Sequence, residues 1–186
     1  MLLFDPNNTY PKRTESKSII RFQDCDLLNH LNNAKYFDYY FNSREDQQAL
    51  LYGFKSDYSF KTYNHSWVVY QHQIAYIRPA NVSEWVTILS SIIYYDETTK
   101  VVEYVMTDEH KKELKNVMWT TSKYISVATG KLTPHHPEIM EYLQATAIDG
   151  VDFQGLTFNQ RIKQIKEELL KGAYWHPTYS CISNDP

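Results

Sequence analysis

Residues 17–53, KSIIRFQDCDLLNHLNNAKYFDYYFNSREDQQALLYG, hold the pattern that decides the fold. The β-branched run at 17–23 reads as a short strand. DCDLLNHLNN follows as a turn-rich stretch ending in Asn32 and Asn33, both good helix N-cap types. From Ala34 to Tyr52 the residues suit a helix, and Gly53 stands where a C′ residue belongs. Tyr36, Tyr40 and Leu50 fall near one stripe of that helix, while Phe37, Phe41 and Leu51 fall near the next. Its first half is therefore apolar over most of its circumference, which predicts a helix packed on several sides. The polar run SREDQQ at 43–48 predicts a second half that emerges into solvent.

Downstream the periodicity changes. After a polar loop at 55–66, strands are expected at 67–77, 82–95, 100–107 and 117–127, joined by short turns such as 96–99 and 108–112. Adjacent strands with short turns predict an antiparallel meander. The second of these is apolar on both faces: Trp85, Leu89 and Ile93 on one, Val86, Ile88 and Ile92 on the other. A sheet with one wet face has no need of both. One face is expected to wrap the buried helix and part of the other to meet a second subunit, as a homodimer or dimer of dimers. Upstream, residues 1–16 carry Pro6 and Pro11 and are expected to form an irregular arm. At 137–147 and 158–172 two further helices are expected, the second with Ile162, Ile165 and Leu169 at helical spacing, followed by a loosely held tail. The division is thus an arm at 1–16, one domain at 17–136 and a C-terminal helical extension at 137–186.

Composition bounds the function. The chain has 186 residues, 42% hydrophobic and 15% aromatic, which is enough for a real core and too aromatic for disorder. A formal net charge of -3 supplies no basic field, so nucleic acid is not expected as a partner. No stretch approaches the roughly 18 apolar residues of a membrane span. The start, MLLFDPNNTYPKR, lacks a basic n-region and does not read as a signal peptide. Two cysteines, Cys25 and Cys181, are too few for a disulfide framework and sit at no metal-ligand spacing, so a reduced cytoplasmic protein without a metal is the expectation.

IRFQDCDLLNHLNNAKYFDYYFNSRE, residues 20–45, resembles the start of the 4-hydroxybenzoyl-CoA thioesterase family of hotdog-fold acyl-thioester hydrolases. The shared pattern is [VI]-R-F, then D-x-D, then H-x-N-N-x-x-Y, then an Arg eight residues past the Tyr. QIAYIRPANVSEWVTI at 73–88 resembles the family's Y-x-R-P-A and the long strand after it, and with TTSKYISVATGKLTP the likeness covers about residues 17–135. It implies an α+β fold, a single hotdog domain whose antiparallel sheet wraps one long central helix, with the C-terminal helices as an appendage. It implies an acyl-CoA substrate, no cofactor beyond the coenzyme A of that substrate, Asp26 as the catalytic carboxylate and Asn33 at the helix start holding the thioester or water. His30, Asn32 and Tyr36 would line the same pocket, and Arg78 at the rim could meet a CoA phosphate. Where the family often has Gly before the motif His, this chain has Asn29.

Elementary chemistry points the same way. Asp24 and Asp26 are two apart, so in an extended segment they face one side, and carboxylates that close resist simultaneous ionisation. The segment runs into a helix N-terminus, whose amides are unpaired and carry the positive end of the dipole. A thioester carbonyl placed there would have its developing oxyanion stabilised, while a carboxylate attacks it or activates water. Each residue also has a plain structural reading. Asp24 could cap the turn or pair with Arg21 or Arg44, Asp26 could only shape the turn, His30 could sit in a loop and Tyr36 in the core. Arg78–Pro79 could simply end a strand, and His135–His136 belongs to a loop more naturally than to zinc. Cys25 lies between two acids, which disfavours its thiolate. Other functions to be told apart are an acyl-carrier-protein thioesterase, a hotdog dehydratase or hydratase, and a non-catalytic acyl-CoA-binding module.

Overall fold

The computed structural model describes residues 4, 5 and 7–172; the tail 173–186, with Cys181, lies outside them. Five strands form one antiparallel sheet: β1 (Arg13–Ile19), β2 (His65–Tyr76), β3 (Trp85–Tyr95), β4 (Thr99–Asp108) and β5 (Leu114–Ser126). Their order is β1-β3-β4-β5-β2. Only β3-β4-β5 is a meander. The strand expected to open it, β2, instead crosses to pair with β5, and β1 pairs with β3. Both β1 and β2 are therefore sheet edges.

The long helix, α1 (Tyr36–Tyr52), lies in the hollow of the curled sheet. Tyr36, Tyr40 and Tyr52 are buried, and the Tyr40 hydroxyl donates to Asn116 Oδ1 at 2.7 Å, tying helix to sheet. Gly53 ends the helix at φ 60°, the left-handed geometry that glycine takes without strain. The polar second half departs from expectation at one residue. Arg44 is buried, its Nη1 donating to Ser90 Oγ at 3.2 Å and its guanidinium lying 5.7 Å from the Tyr52 ring. The arm is also more ordered than its prolines imply, because β1 starts at Arg13 and Phe4 stacks on Tyr10 at 4.9 Å and meets Tyr142 edge-on. The loop at 55–66 contains a short helix, α2 (Tyr58–Tyr63).

On the outer face of the sheet, part of which was expected to meet a second subunit, the C-terminal segment of the same chain packs. From α4 (Phe158–Leu170), the side chains Ile162, Ile165 and Leu169 pack on Leu89, Val105 and Val117. Before α4, Ile148, Val151 and Phe153 pack on Ile93, Val101 and Trp119. A capping box between Thr157 and Gln160 starts α4. Arg161 then reaches the sheet and grips Glu103 with two hydrogen bonds of 2.9 Å, while Trp119 Nε1 donates to the same carboxylate at 3.0 Å. Lys163, Lys166 and Lys171 lie on the solvated face, as their spacing predicts.

The remaining extension docks on the other side. In α3 (Pro137–Thr146), Ile139, Tyr142 and Leu143 join the main core, with Tyr142 stacked on Phe54 at 4.2 Å. Ahead of it, His135 accepts from Trp67 Nε1 at 2.9 Å through Nε2, which requires that nitrogen to be unprotonated. Burial pushes the His135 imidazole down from 6.5 to about 4. His136 stacks on Tyr63 at 3.6 Å. Among the described residues, no cluster of side chains suits a metal ion, and no helix is long and apolar enough to cross a membrane.

Two outcomes follow from this packing. Arg161→Leu strands the buried Glu103 charge and should lower the urea-unfolding free energy by about 3–5 kcal/mol, most of it recovered in the Arg161→Leu/Glu103→Leu double variant. For His135 the unfolded chain binds the extra proton between pH 6.5 and about 4, so stability should fall as pH drops through that window. The urea midpoint of His135→Gln should fall less steeply there than that of the parent chain.

Candidate active site

The reversal between β1 and α1 is built from short polar side chains acting on nearby amides. Phe22–Asp24 form a single 3-10 turn, after which Cys25 bridges to Leu31 and closes a tight loop. Inside it the Asp26 amide donates to the His30 carbonyl at 2.8 Å. The Asp26 carboxylate accepts through Oδ1 from the amides of Leu28 at 2.8 Å and His30 at 3.2 Å. Asn29 completes the turn at φ 61°. That is the conformation glycine adopts freely and asparagine tolerates, so the departure from the family's Gly leaves the loop able to keep a left-handed turn.

The two stretches that carry the family resemblance meet here through their backbones. The Leu31 amide donates to the Ala80 carbonyl at 2.8 Å, and the Val82 amide to the Asn29 carbonyl at 2.9 Å. His30 bridges to Asn81. The loop therefore runs against the segment after β2, and helix growth begins from a braced point. Asn32 supplies the cap, its Oδ1 accepting from the Ala34 amide at 3.0 Å, and a 3-10 turn over Asn33–Lys35 leads into α1. Asn33 is exposed at that first turn. Its carbonyl accepts from the Tyr76 hydroxyl at 3.0 Å, which links the helix start to the end of β2.

The expected pairing of carboxylates does not occur. Asp24 lies in the 3-10 turn rather than in extended chain, so the two side chains part. Asp24 accepts from the Tyr39 hydroxyl at 3.0 Å and lies 3.7 Å from Lys35 Nζ, facing a groove of about 390 Å³ between β1 and α1. Its partners are thus Tyr39 and Lys35, not Arg21 or Arg44. Asp26 folds back on its own turn, and its side chain is exposed in the single chain. Within one chain the loop stands proud, with Phe22, Leu27 and Leu28 exposed around it.

Of the remaining candidates, His30 is half-buried in the loop, and Asn32 serves as the cap. Tyr36 is 2% exposed and lies beneath the site, its ring edge-on to Tyr76 at 5.3 Å, and burial pushes its phenol up. Arg78 stands exposed at the rim, 3.4 Å from Glu113. Burial, with Asp24 and Asp26 adding to it, raises the Cys25 thiol, against a nucleophilic role. Tyr76, the Tyr of the Y-x-R-P-A stretch, touches Asn33, and His72, on the same face of β2 as Ile74 and Tyr76, escaped the sequence reading.

Comparison with known proteins bears on this geometry. The model of the thioesterase-like superfamily matches residues 20–143. The chain has no match among curated proteins. Among solved structures it is similar to YbaW, a probable thioesterase from Escherichia coli, with 24% identity, TM-score 0.63, and coverage of 72% of this chain and 98% of that one. It is also similar to the 12:0-ACP thioesterase from Umbellularia californica, with 14% identity and TM-score 0.67, covering 78% of this chain and 55% of that one. A third is Slr0204, a 1,4-dihydroxy-2-naphthoyl-CoA thioesterase from Synechocystis, with 11% identity, TM-score 0.62, and coverage of 72% and 95%. At these identities the likeness establishes the fold, a single hotdog domain.

Removing the cap tests how the helix start is held. Asn32→Ala frees the Ala34 amide and should cost about 1 kcal/mol in thermal or urea unfolding, with Asn32→Ser recovering most of it.

Proposed function

The chain belongs to the thioesterase-like superfamily and is a thioester hydrolase; on that premise we propose that its substrate is an acyl-CoA and that Asp26 supplies the working carboxylate. One observation carries this. The Asp26 carboxylate is held by the Leu28 and His30 amides in a loop that leads directly into the start of α1. Oδ1 is engaged by the turn, which fixes the orientation of the group and leaves Oδ2 to face a reactant. A thioester carbonyl set against the first turn, beside Asn33, would meet the positive end of the helix as oxyanion charge develops. One such donor is typically worth about 10²–10³ in rate. Asp26 then takes a proton from the attacking water or attacks the carbonyl itself; either route ends in the free acid and coenzyme A. No further cofactor is needed. The motifs at 20–45 and 73–88 align this reading with the 4-hydroxybenzoyl-CoA branch.

An exposed carboxylate works poorly in bulk water, so the proposal includes a second copy of the chain. Leu27, Leu28 and Phe22 are apolar and uncovered around the loop. Along the free edge β2, Val68, Val69 and Tyr70 are exposed as well. A twelve-residue edge with unpaired backbone groups invites antiparallel pairing with its own copy, an isologous contact. With α4 packed on the outer sheet face, a homodimer through β2 is the pairing this surface favours. Arg78, exposed at the rim 3.4 Å from Glu113, is the cation placed to meet an anionic phosphate of coenzyme A. A reduced compartment, the cytoplasm, suits the Cys25 thiol.

Asp26→Asn keeps an oxygen to accept from Leu28 and His30, so the loop should hold and the melting temperature should barely move. Its kcat for acyl-CoA hydrolysis should fall by about 10²–10⁴. Undiminished turnover in a folded Asp26→Asn protein would remove Asp26 from the reaction.

A further inference from the structure

The turn that leads from β2 to β3, residues 77–84, is held from two sides. On one side it pairs with the loop of Asp26. The Leu31 amide reaches the Ala80 carbonyl at 2.8 Å, the Val82 amide reaches the Asn29 carbonyl at 2.9 Å, and His30 bridges to Asn81. His30 is also one of the two residues whose amides fix the Asp26 carboxylate. On the other side the turn is tied to β5, and Lys115 makes the tie. Its carbonyl accepts from the amides of Ile77 at 2.9 Å and Arg78 at 3.0 Å, while its Nζ donates to the Pro79 carbonyl at 3.0 Å. Three consecutive residues are thus held by one.

Local geometry aims the Lys115 side chain at this task. In the β4–β5 ladder Met106 lies across from Asn116 and Thr107 from Leu114, so Lys115 is the extra residue of a β-bulge. A bulge takes a side chain out of the regular alternation, and Leu114, Lys115 and Asn116 are all buried. The Lys115 side chain is 4% exposed, and its Nζ meets Glu84 Oε1 at 2.7 Å. The other oxygen, Oε2, accepts from the Asn81 backbone amide at 2.8 Å and from Asn81 Nδ2 at 3.3 Å. An ion pair drawn out of water adds little stability over apolar side chains of similar size, so stability alone gives this one little to do. What it does is fix the chain from Pro79 to Glu84. That stretch includes Ser83, a non-glycine residue at φ 65° whose amide donates to the Ile20 carbonyl at 2.9 Å.

We infer that Lys115 and Glu84 are positioning residues for the reaction: the pair sets the place of the 79–84 turn, and the turn sets where His30 presents its amide to Asp26. This rests on the assignment of Asp26 as the working carboxylate above. Neither side chain reaches the reacting atoms. Both act through the backbone of Ala80 and Asn81 and then of residues 29–31. A displacement of about 1 Å in such a support can cost about 10²-fold in rate.

The test is Lys115→Met/Glu84→Gln, which removes both charges together and strands neither, while the carboxamide keeps an oxygen for the Asn81 amide. This variant should melt close to the parent chain, yet its kcat for acyl-CoA hydrolysis should fall by about 10²-fold with KM little changed. A pair with only a structural role would return activity together with stability. Glu84→Gln alone, at the more exposed end of the pair, is the milder variant and should lose about 10-fold in kcat, the worth of one hydrogen bond. Arg161→Leu/Glu103→Leu, which removes the buried pair under α4 in the same way, should keep the parent kcat. Placed in an Asp26→Asn chain, Lys115→Met/Glu84→Gln should cost little further, because the carboxylate that the pair positions is gone. Parent kcat in either folded variant, or an equal loss with and without the Asp26 carboxylate, overturns the inference. Failure of the site itself reads differently, as full activity in Asp26→Asn alone.

Discussion

A single carboxylate holding two amides shapes the segment on which the rest of the molecule depends. Asp26 gathers the Leu28 and His30 amides and so closes the loop between β1 and α1. Closure brings Leu31 onto the Ala80 carbonyl, and this fixes where α1 starts relative to the end of β2. The helix must then lie along the hollow of the sheet, where Tyr40 anchors it to Asn116. Loop, helix start and edge strand thus meet at one corner of the molecule, and every group assigned to the chemistry lies at that corner.

The opposite face shows a different solution to the same problem of uncovered apolar surface. The sheet is apolar on both sides, and the helix can cover only one. Ile162, Ile165 and Leu169 of α4 cover the other, and a buried Arg161–Glu103 pair fixes their register on β4. Such a pair adds little net stability over an apolar equivalent, but it resists sliding because breaking it exposes an uncompensated charge to a dry interior. With α4 on that face, the proposed homodimer would use the edge of β2 and the apolar loop around Asp26. Activity and association are thereby directed to neighbouring parts of the surface.

Much of this was legible in the residues. The helix expected from Ala34 to Tyr52 stands where its pattern puts it, because Asn32 as a cap and Gly53 as a terminator act through local backbone chemistry, whereas the strand expected at 17–23 lies earlier, at Arg13–Ile19. What covers the outer face was not legible, because alternation reports only that a face is covered; Ile162, Ile165 and Leu169 announce an apolar helix stripe without naming its target. The crossing of β2 to β5 was hidden for a related reason, since short turns suggest neighbours while pairing is decided by the whole sheet. Asp24 and Asp26 were placed together on the assumption of extended chain, and one 3-10 turn at Phe22–Asp24 separates them. The burial of Arg44 and the position of His72 went unseen for want of a local signal. Each is defined by what lies across from it: Ser90 and Tyr52 for the first, Phe37, Phe41 and Thr120 for the second.

Amide-resolved NMR of the chain with a non-hydrolysable thioether analogue of an acyl-CoA tests the central claim most directly. If the thioester sits at the start of α1, the largest shifts fall on the amides of residues 26–34. Shifts confined to residues 16–21 and 42–47, which border the groove on the other side of the helix, with 26–34 unmoved, would contradict it.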